Sequence, residues 1–330
     1  MMKIAIIGTT AWGTTLGVML ARRGTEVALW ARTKEEAERL DQARENTARL
    51  PGVAFPERLR PTDSLAEAMS GASLVILAVP SQEMRTNIRE VKEHTQESVP
   101  IMSAAKGLEL ATAKRMSQVI AEVLNPGHRS NICVLSGPNL SREIAQGLPA
   151  STVIAAENAP LAEKAKGIMS SPTFQVFTSD DVVGVELGGA LKNIIALGAG
   201  MADGLGYGSN AKAAYVARGL TEITRLGVAA GANPITFIGL ACLGDLLATS
   251  SSPLSRNHTL GEGLAQGRSL EEIKASMGSV VEGVATTAAA VKLARELEVE
   301  MPITEQIYRV LFEGESPAQA MAELMGLDGV

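Results

Sequence analysis

The stretch Lys3-Ile-Ala-Ile-Ile-Gly8-Thr-Thr-Ala-Trp-Gly13, near the start of the chain, decides the fold. An apolar run ends at Gly8, and an apolar segment of helical character follows. A glycine-containing turn between a strand and a helix is typical of a dinucleotide site, because N–H groups at the helix start and the helix dipole bind a pyrophosphate. We expect Gly8 to form the tight turn and Gly13 to let the helix approach the strand. An ordinary strand–helix turn is the alternative.

Two positions bear on the choice of cofactor. Thr10 stands where this fingerprint usually has a glycine that admits the pyrophosphate, so we expect a shifted or weakened cofactor. Arg32 follows the second predicted strand, about where an NAD enzyme carries an acid for the ribose 2′-hydroxyl. An arginine suits a 2′-phosphate, which predicts NADP(H) as the preferred cofactor. Glu35 and Glu36 leave NAD possible, and Arg32 as a solvated charge is the alternative.

The first half of the chain alternates short β-rich runs with helical ones, which predicts a doubly wound α/β domain. Most of these runs are continuously apolar, as in a parallel sheet covered on both faces. Ligands are expected at the carboxyl ends of its strands. The predicted strands are 3–7, 26–30, 74–79, 100–103, 132–135, 152–156 and 174–177, and the predicted helices 12–23, 34–50, 81–93 and 114–124.

From about residue 181 the strand signals stop, and long Ala-, Gly- and Leu-rich segments predict helices. We therefore predict a dinucleotide-binding domain over 1–180 and a second, all-helical domain over 181–330. The predicted helices are 182–202, 211–230, 235–247, 286–297 and 304–311.

Composition excludes several classes of function. The 330 residues carry a net charge of −6, which argues against a nucleic-acid surface. Cys133 and Cys242 lie in apolar runs, which indicates buried structural thiols. Three dispersed histidines predict no metal site. The chain opens without a signal-peptide pattern, and its longest apolar stretch is interrupted by polar residues, so we expect a cytoplasmic protein that is not embedded in a membrane.

Further polar residues lie where a sheet of this kind binds ligands. Lys106 follows the predicted strand 100–103, and Ser136-Gly137-Pro138-Asn139 follows the strand 132–135. A surface lysine and a helix cap are the alternatives. Later in the chain, Ser255-Arg256-Asn257 offers a forked cation with neutral donors, which suits a phosphate, with a polar loop as the alternative.

The segment Gly188-Gly189-Ala190-Leu191-Lys192-Asn193 lies in a helical run that also holds Gly184, Gly198 and Gly200, and so many glycines are unusual for a helix. Each interior glycine costs a helix about 1 kcal/mol relative to alanine, so this segment predicts another backbone or a cofactor ring close by. Lys192 and Asn193 are candidate site residues in these apolar surroundings. A lysine that reaches out to solvent is the alternative.

In their order along the chain these segments resemble the NAD(P)-dependent glycerol-3-phosphate dehydrogenases of the bacterial type, over nearly the whole sequence. The shared segments are the Gly8 turn, Ala105-Lys-Gly-Leu-Glu109, Ser136-Gly-Pro138, Val185-Glu-Leu-Gly-Gly-Ala-Leu-Lys-Asn193, Gly244-Asp-Leu246, Ser255-Arg-Asn257, Val281-Glu-Gly283 and Met301-Pro-Ile-Thr-Glu305.

The resemblance implies a Rossmann domain followed by a helical substrate domain over 181–330, and a homodimer. It also implies reversible reduction of dihydroxyacetone phosphate to sn-glycerol 3-phosphate for phospholipid synthesis. It implies catalytic roles for Lys192 as proton acceptor, Lys106 and Asp245. The substrate-binding positions it implies are Lys106, Gly137, Asn139, Lys192, Asp245, Ser255, Arg256 and Asn257. The cofactor positions, with the glycine turn included, are Gly8, Thr10, Ala11, Trp12, Gly13, Arg32, Lys106, Ser141, Arg256, Val280 and Glu282. Thr10, Asn139 and Ser141 depart from the family's usual residues.

A hypothesis for the mechanism follows from the chemistry of lysine. An ordinary lysine, with a pKa of about 10.4, is almost never neutral at pH 7, so a lysine base needs a lowered pKa. Apolar surroundings of Lys192 and the charge of Lys106 would both lower it. Asp245 would hold the lysine or a substrate hydroxyl, and Arg256 would hold the phosphate.

Two other classes of function stay open on the residues alone. A hydroxyacid dehydrogenase acting on a carboxylate would use the same two-domain plan, because Arg256 also suits a carboxylate. A nucleotide-sensing module without catalysis is the second, although the presence of both Lys106 and Lys192 speaks against it.

Overall fold

The structure, a computed structural model, describes residues 2–278 and 280–326. The chain packs as two compact units. Unit 1 comprises Met1–Ala105 and Met116–Val182, and unit 2 comprises Lys106–Arg115 and Val183–Val330. Residues 106–115, which the sequence prediction placed in the first domain, therefore pack with the helical part of the chain.

Unit 1 is built on an eight-stranded sheet. Its strands are β1 (Lys3–Ile7), β2 (Glu26–Trp30), β3 (Leu59–Thr62), β4 (Ala72–Leu77), β5 (Ile101–Ser103), β6 (Ile132–Ser136), β7 (Ala150–Ala155) and β8 (Phe174–Ser179). They lie in the order β3-β2-β1-β4-β5-β6-β7-β8. In β1, Ile4 and Ile6 pack into the core on one face of the sheet, and Ala5 and Ile7 into that on the other. This two-sided burial explains the continuous apolar runs and confirms the doubly wound α/β fold.

The helices of unit 1 alternate with these strands. They are α1 (Ala11–Arg22), α2 (Lys34–Ala43), α3 (Leu65–Met69), α4 (Met84–Lys92), α5 (Met116–Val123), α6 (Ser141–Ala145) and α7 (Ala159–Met169), with 3₁₀ turns at Ser81–Glu83 and Pro126–Asn131. The helix predicted over 34–50 is too long, because Arg44 adopts a left-handed conformation, with φ of 49°, and ends α2 at Ala43.

Two features of the sheet differ from the prediction. The prediction missed β3, whose sequence Leu-Arg-Pro-Thr contains Pro61 and lacks an apolar run. An edge strand tolerates a proline because one side of its backbone has no strand to bond, and β3 is at the edge. The sheet is also not wholly parallel, since β6 and β7 pair antiparallel through Leu135 and Ile154.

Unit 2 is helical, as predicted. Its elements are α8 (Val182–Gly204), α9 (Ser209–Ala229), α10 (Pro234–Phe237), a π-helical turn (Leu240–Gly244), α11 (Asp245–Ser251), α12 (Arg256–Ala265), α13 (Leu270–Met277), α14 (Glu282–Glu296), α15 (Pro302–Phe312) and α16 (Pro317–Met325). The prediction missed α12, α13 and α16. The single helix predicted over 235–247 is instead α10, the π-helical turn and the start of α11.

The glycines of α8 mark places where neighbouring elements approach it closely. A Cβ atom on Gly200 would lie 2.0 Å from the carbonyl oxygen of His258, and one on Gly188 would lie 2.7 Å from the Cβ of Cys242. On the opposing helix, a Cβ on Gly261 would lie 1.9 Å from the carbonyl oxygen of Leu197. The predicted close approach of another backbone is confirmed: α8 and α12 pack with their main chains in contact.

Burial explains the two cysteines and one long apolar helix. Cys133 and Cys242 are free and buried, as expected, and burial raises the pKa of each thiol to about 12. Two helical stretches in the described ranges are long and apolar enough to cross a membrane by length and composition alone, Val182–Gly204 and Pro234–Ser251. The most apolar window of Val182–Gly204 is 89% buried inside the protein, as in a core helix, while that of Pro234–Ser251 is 39% buried.

Candidate active site

The glycine turn after β1 has the geometry that the sequence predicts. Gly8 adopts a φ of 110°, a conformation that side chains rarely tolerate, and a Cβ there would lie 2.8 Å from the carbonyl oxygen of Ala78. A Cβ on Gly13 would lie 2.2 Å from the carbonyl oxygen of Gly8. Glycine at these two positions therefore lets α1 begin directly against the end of β1.

Thr10, in place of the usual middle glycine, is the N-cap of α1. Its hydroxyl accepts a hydrogen bond from the Gly13 N–H at 3.0 Å and donates one to the carbonyl oxygen of Ala78 at 2.7 Å. The threonine thus anchors the start of α1 to the residue that follows β4. The N–H groups of Ala11 and Trp12 lie in the first turn, where the helix itself offers no acceptor, and so they remain suited to an anion.

Arg32 lies just beyond β2 and is half exposed, with its side chain 47% accessible. Its guanidinium donates to Glu90 at 3.1 Å and to Asn87 at 2.7 Å, and it lies 5.4 Å from the centre of the Trp30 ring. On α2, Glu36 accepts a hydrogen bond from the hydroxyl of Thr9 at 2.7 Å. These contacts hold a cation at the position where a ribose phosphate is expected.

Three further predicted residues lie after β6 in unit 1. Gly137 passes so close to β7 that a Cβ would lie 2.9 Å from the Cα of Thr152. Asn139 donates to the Thr152 hydroxyl at 3.3 Å, and its buried Oδ1 has no partner within the described residues. Asn139 does not cap α6, because the N-cap residue is Leu140. The carbonyl oxygen of Ser141 accepts a hydrogen bond from Thr15 of α1 at 3.2 Å.

In unit 2, Lys192 is buried in the middle of α8 and is 5% exposed. Its ammonium does not reach out to solvent. The Nζ atom donates to the hydroxyl of Thr249 at 2.6 Å and lies 3.1 Å from Oδ1 of Asp245. Because an ammonium has three N–H groups, these contacts leave one direction at Nζ for a reacting oxygen.

Asp245 joins the two predicted catalytic lysines. Its Oδ2 accepts a hydrogen bond from Lys106 Nζ at 2.7 Å, while its Oδ1 faces Lys192. The carboxylate is 3% exposed at the first position of α11, directly after the π-helical turn. The structure therefore brings Lys106, Lys192 and Asp245 together in unit 2, from three separate parts of the sequence.

The electrostatics of this cluster favour a lysine that can lose its proton. Burial lowers the pKa of Lys192 from 10.5 to about 8; the charge of Asp245 opposes this effect and that of Lys106 adds to it. Burial alone would raise the pKa of Asp245, but the charges of Lys106 and Lys192 and their hydrogen bonds hold it below its ordinary value. Asp245 is thus a carboxylate at neutral pH. The directions predicted from burial and from Lys106 are both confirmed.

The sequence prediction missed Thr249. Its hydroxyl donates to the carbonyl oxygen of Asp245 at 2.6 Å, one helical turn earlier in α11, and so turns its lone pairs toward Lys192. Thr249 opens the run Thr-Ser-Ser-Ser over residues 249–252, and a run of hydroxyl residues carries no specific signal for catalysis. Its four-residue spacing from Asp245 could have pointed to it, because residues at that spacing share one face of a helix.

The residues that the sequence predicts to bind a phosphate lie at the start of α12. Ser255 is the N-cap and accepts from the His258 N–H at 3.3 Å, and Asn257 donates to Oδ1 of Asn193 at 2.9 Å. Arg256 is exposed and donates to the carbonyl oxygen of Val280 at 2.6 Å. Asn257 therefore ties α12 to the residue next to Lys192. The remaining predicted residue, Glu282, begins α14.

The residues of unit 1 fit a bound dinucleotide. The turn from Gly8 to Gly13 leaves backbone without side chains in its tightest part, and the first turn of α1 directs N–H groups outward. Within the described residues the buried indole Nε1 of Trp12 has no hydrogen-bond partner, so an acceptor on a ligand would satisfy it. Among the residues that the structure describes, no three His, Cys, Asp or Glu side chains are grouped so that they could hold a metal ion.

Two family models match the chain. The model described as the N-terminus of NAD-dependent glycerol-3-phosphate dehydrogenase matches residues 3–162, and the model described as its C-terminus matches residues 181–322. Together they cover most of both units.

Individual proteins give the same result. A protein of Dehalococcoides mccartyi named glycerol-3-phosphate dehydrogenase (NAD(P)+) is 56% identical over 98% of this chain and 91% of its own length. A protein of the same name from Streptomyces coelicolor is 47% identical over 98% of this chain and 96% of its own. The crystal structure of the glycerol-3-phosphate dehydrogenase of Coxiella burnetii is 34% identical, covers 98% of each chain and superposes with a TM-score of 0.93. On the fold, the clustered lysines and these matches, the chain belongs to the NAD-dependent glycerol-3-phosphate dehydrogenase family.

Proposed function

We propose that the protein catalyses the NAD(P)H-dependent, reversible reduction of dihydroxyacetone phosphate to sn-glycerol 3-phosphate, which supplies the backbone of glycerophospholipids. The observation that carries this proposal is the buried Lys192, whose Nζ is held by Thr249 and Asp245 and whose pKa is lowered to about 8. A lysine with such a pKa exchanges its proton near neutral pH, which both directions of the reaction require.

In this proposal residues 1–180 form the dinucleotide-binding domain and residues 181–330 the substrate domain, with Lys106 packed in unit 2. The residues that would hold the cofactor are Gly8, Thr10, Ala11, Trp12, Gly13, Arg32, Lys106, Ser141, Arg256, Val280 and Glu282. A nicotinamide bound by these residues would supply the hydride to C2 of the substrate or accept it from there. All other chemistry falls to side chains of this protein.

Lys192 handles the proton. In the reductive direction its ammonium donates a hydrogen bond to the ketone oxygen at C2 and then delivers the proton to the developing alkoxide. In the oxidative direction the neutral amine takes the proton of the C2 hydroxyl. Asp245 and Thr249 occupy two directions at Nζ, so the third would serve the substrate oxygen. Lys106, paired with Asp245, would bind the substrate as well.

The phosphate of the substrate would be bound at the start of α12. Arg256 supplies the forked cation, while the hydroxyl of Ser255 and the amide of Asn257 supply neutral groups. Because Asn257 is bonded to Asn193, next to Lys192, the phosphate site is tied to the catalytic helix. Binding energy at the phosphate then orients C2, which raises the rate of the chemical step in addition to tightening substrate binding. Gly137 and Asn139 complete the set of substrate residues in this proposal.

We further propose that NADPH is preferred to NADH, with Arg32 as the reader of the 2′-phosphate. The support is a half-exposed guanidinium just beyond β2, held by Glu90 and Asn87. In Arg32→Ala the ratio of kcat/KM for NADPH to that for NADH should fall about tenfold or more, since a charge-assisted hydrogen bond contributes about 1.5–3 kcal/mol. An unchanged ratio would remove Arg32 from this role. Arg39→Ala, a change of an exposed arginine on α2, is the matched control.

We also propose that the protein forms a homodimer and that it acts in the cytoplasm. Both proposals rest on the resemblance of the chain to its family, and sedimentation of the purified protein tests the dimer. The reaction itself is tested by following NADPH and NADH consumption with dihydroxyacetone phosphate, and then with a panel of 2-oxo acids. The proposal requires turnover with the phosphate ester. Turnover confined to the 2-oxo acids would assign the protein to the hydroxyacid dehydrogenases instead.

A further inference from the structure

Residues 106–115 leave the sheet domain after β5 and pack in unit 2 before the chain returns at α5. Leu108 is fully buried in the apolar core of that unit. Lys292 of α14 donates to the carbonyl oxygen of Ala111 at 2.7 Å, and Nη1 of Arg115 lies 2.5 Å from Oε2 of Glu186 on α8. Three elements of unit 2 are thus fastened to this segment, counting Asp245 of α11 with its bond from Lys106.

The two ends of the segment lie side by side. Leu108 and Arg115 form an antiparallel bridge, and the N–H of Glu109 donates to the carbonyl oxygen of Lys114 at 2.9 Å. Arg115 is therefore bridged to a residue only two positions after Lys106, although nine positions separate Arg115 and Lys106 in sequence. Whatever holds Arg115 also fixes the backbone from which Lys106 extends.

The partner of Arg115 lies on the catalytic helix. Glu186 is in α8, less than two turns before Lys192, and the side chains of Arg115 and Glu186 are 16% and 8% exposed. An ion pair this sheltered is screened little by salt. It connects the segment that carries Lys106 to the helix that carries Lys192.

The position of Lys106 matters for the proton on Lys192. Nζ of Lys106 lies 2.7 Å from Oδ2 of Asp245, and the reach of this side chain depends on where its backbone is held. Without Lys106, the charge of Asp245 would act on Lys192 alone and favour its ammonium form. The groups that face Lys192 are Asp245 and Thr249 of α11, Lys106 of this segment and Cys242 of the π-helical turn.

We propose that Arg115 and Glu186 are a positioning pair, which keeps the 106–115 segment on α8 and Lys106 against Asp245, and thereby keeps Lys192 able to act as a base. This role rests on the proposed function of Lys192. Neither residue touches the reacting atoms; both act through Lys106.

The test measures kcat for oxidation of sn-glycerol 3-phosphate between about pH 6 and about pH 10. We expect Arg115→Ala to move the midpoint of the rise in kcat upward by about one pH unit, toward that of Lys106→Met. The reason is that Lys106, the like charge that lowers the proton affinity of Lys192, would no longer be held beside it. Arg115→Lys, which can still reach Glu186, should keep a midpoint close to that of the wild type. The matched control is Arg85→Ala, which removes an arginine–glutamate pair of 2.8 Å within unit 1.

An unchanged midpoint in a folded Arg115→Ala protein, or an equal shift in Arg85→Ala, would overturn the proposal. Should Arg115→Ala fail to fold, Glu186→Gln removes the other charge of the pair, and an unchanged midpoint there would equally overturn the proposal. The ¹⁵Nζ resonance of Lys192, assigned with Lys192→Met, gives the same comparison without substrate. A wild type that titrates as expected but does not oxidise glycerol 3-phosphate would refute the proposed reaction and leave the pair intact.

Discussion

Replacing Lys192 by methionine tests the central chemical argument. With a pKa of about 8, roughly one Lys192 in ten is neutral at pH 7, whereas a lysine at 10.5 would be neutral about once in three thousand. The buried site therefore increases the supply of free base about three-hundredfold. Methionine matches the apolar stem of lysine and cannot carry a proton. Asp245 keeps its bond to Lys106 at 2.7 Å, so we expect the fold to persist.

We expect Lys192→Met to lower kcat about 10²- to 10⁴-fold in both directions, the usual contribution of a positioned acid or base, or about 3–5 kcal/mol. Cofactor binding should remain near that of the wild type. In the wild type, kcat for oxidation should rise with pH through about 8, because the amine must be neutral, and kcat for reduction should fall through the same region, because the ammonium is needed.

The assay follows the loss of NADPH absorbance with dihydroxyacetone phosphate. In the other direction it follows the formation of NADPH from NADP with glycerol 3-phosphate, across the same pH range. Calorimetric titration with NADPH and the melting temperature show whether the variant is folded and binds cofactor. Lys274→Met, a change of an exposed lysine on α13, is the matched control. If Lys192→Met kept more than about a tenth of the wild-type kcat, the assignment of the proton to Lys192 would be wrong. A wild-type midpoint near the ordinary lysine value would refute the role of burial.

Three other substitutions test separate parts of the structure. Arg256→Gln should raise KM for dihydroxyacetone phosphate about ten- to a hundredfold, with a smaller effect on KM for glycolaldehyde, which lacks the phosphate; equal effects on both would contradict the phosphate role. Glu222→Leu should lower the free energy of unfolding by about 3 kcal/mol or more in urea, because the buried carboxylate accepts from the N–H groups of Ile303 and Thr304 at 2.8 Å each; a loss below about 1 kcal/mol would be inconsistent with these bonds. Thr10→Ala should lower the free energy of unfolding by about 1 kcal/mol through loss of the N-cap, and Thr10→Gly by only a few tenths. The affinity for NADPH should be preserved in the glycine variant. A roughly tenfold weaker binding of NADPH there would show that the hydroxyl does more than cap the helix.

The local parts of the fold were predictable because their signals are contiguous. Strand β1 and its turn were found from one short stretch, since a strand covered on both faces must be apolar throughout. Strand β3 was missed because an edge position permits Pro61, which the sequence pattern treats as a break. The reversed direction of β7 was also beyond prediction, because direction depends on how the chain returns to the sheet.

The site shows the same division. Lys192 and Arg256 stand in short runs of unusual composition, and such runs attract attention. Thr249 is the first of four consecutive hydroxyl residues, which nothing in the sequence tells apart, and only its hydrogen bond from Lys192 shows its importance. For Thr10 the sequence predicted a defect in a fingerprint. The structure shows a helix cap that bonds across to Ala78, a neighbour distant in sequence.

The sequence by itself determined the alternation of strands and helices, the glycine turn and the identity of the polar residues, because these depend on neighbours within a few positions. Tertiary structure alone decided that residues 106–115 pack with the helical unit and that Asp245 stands between Lys106 and Lys192. It also decided the proton affinity of Lys192, which burial and two neighbouring charges set together. Coulomb forces and desolvation act through space, and residues far apart in the chain are brought within their range only when the chain has folded.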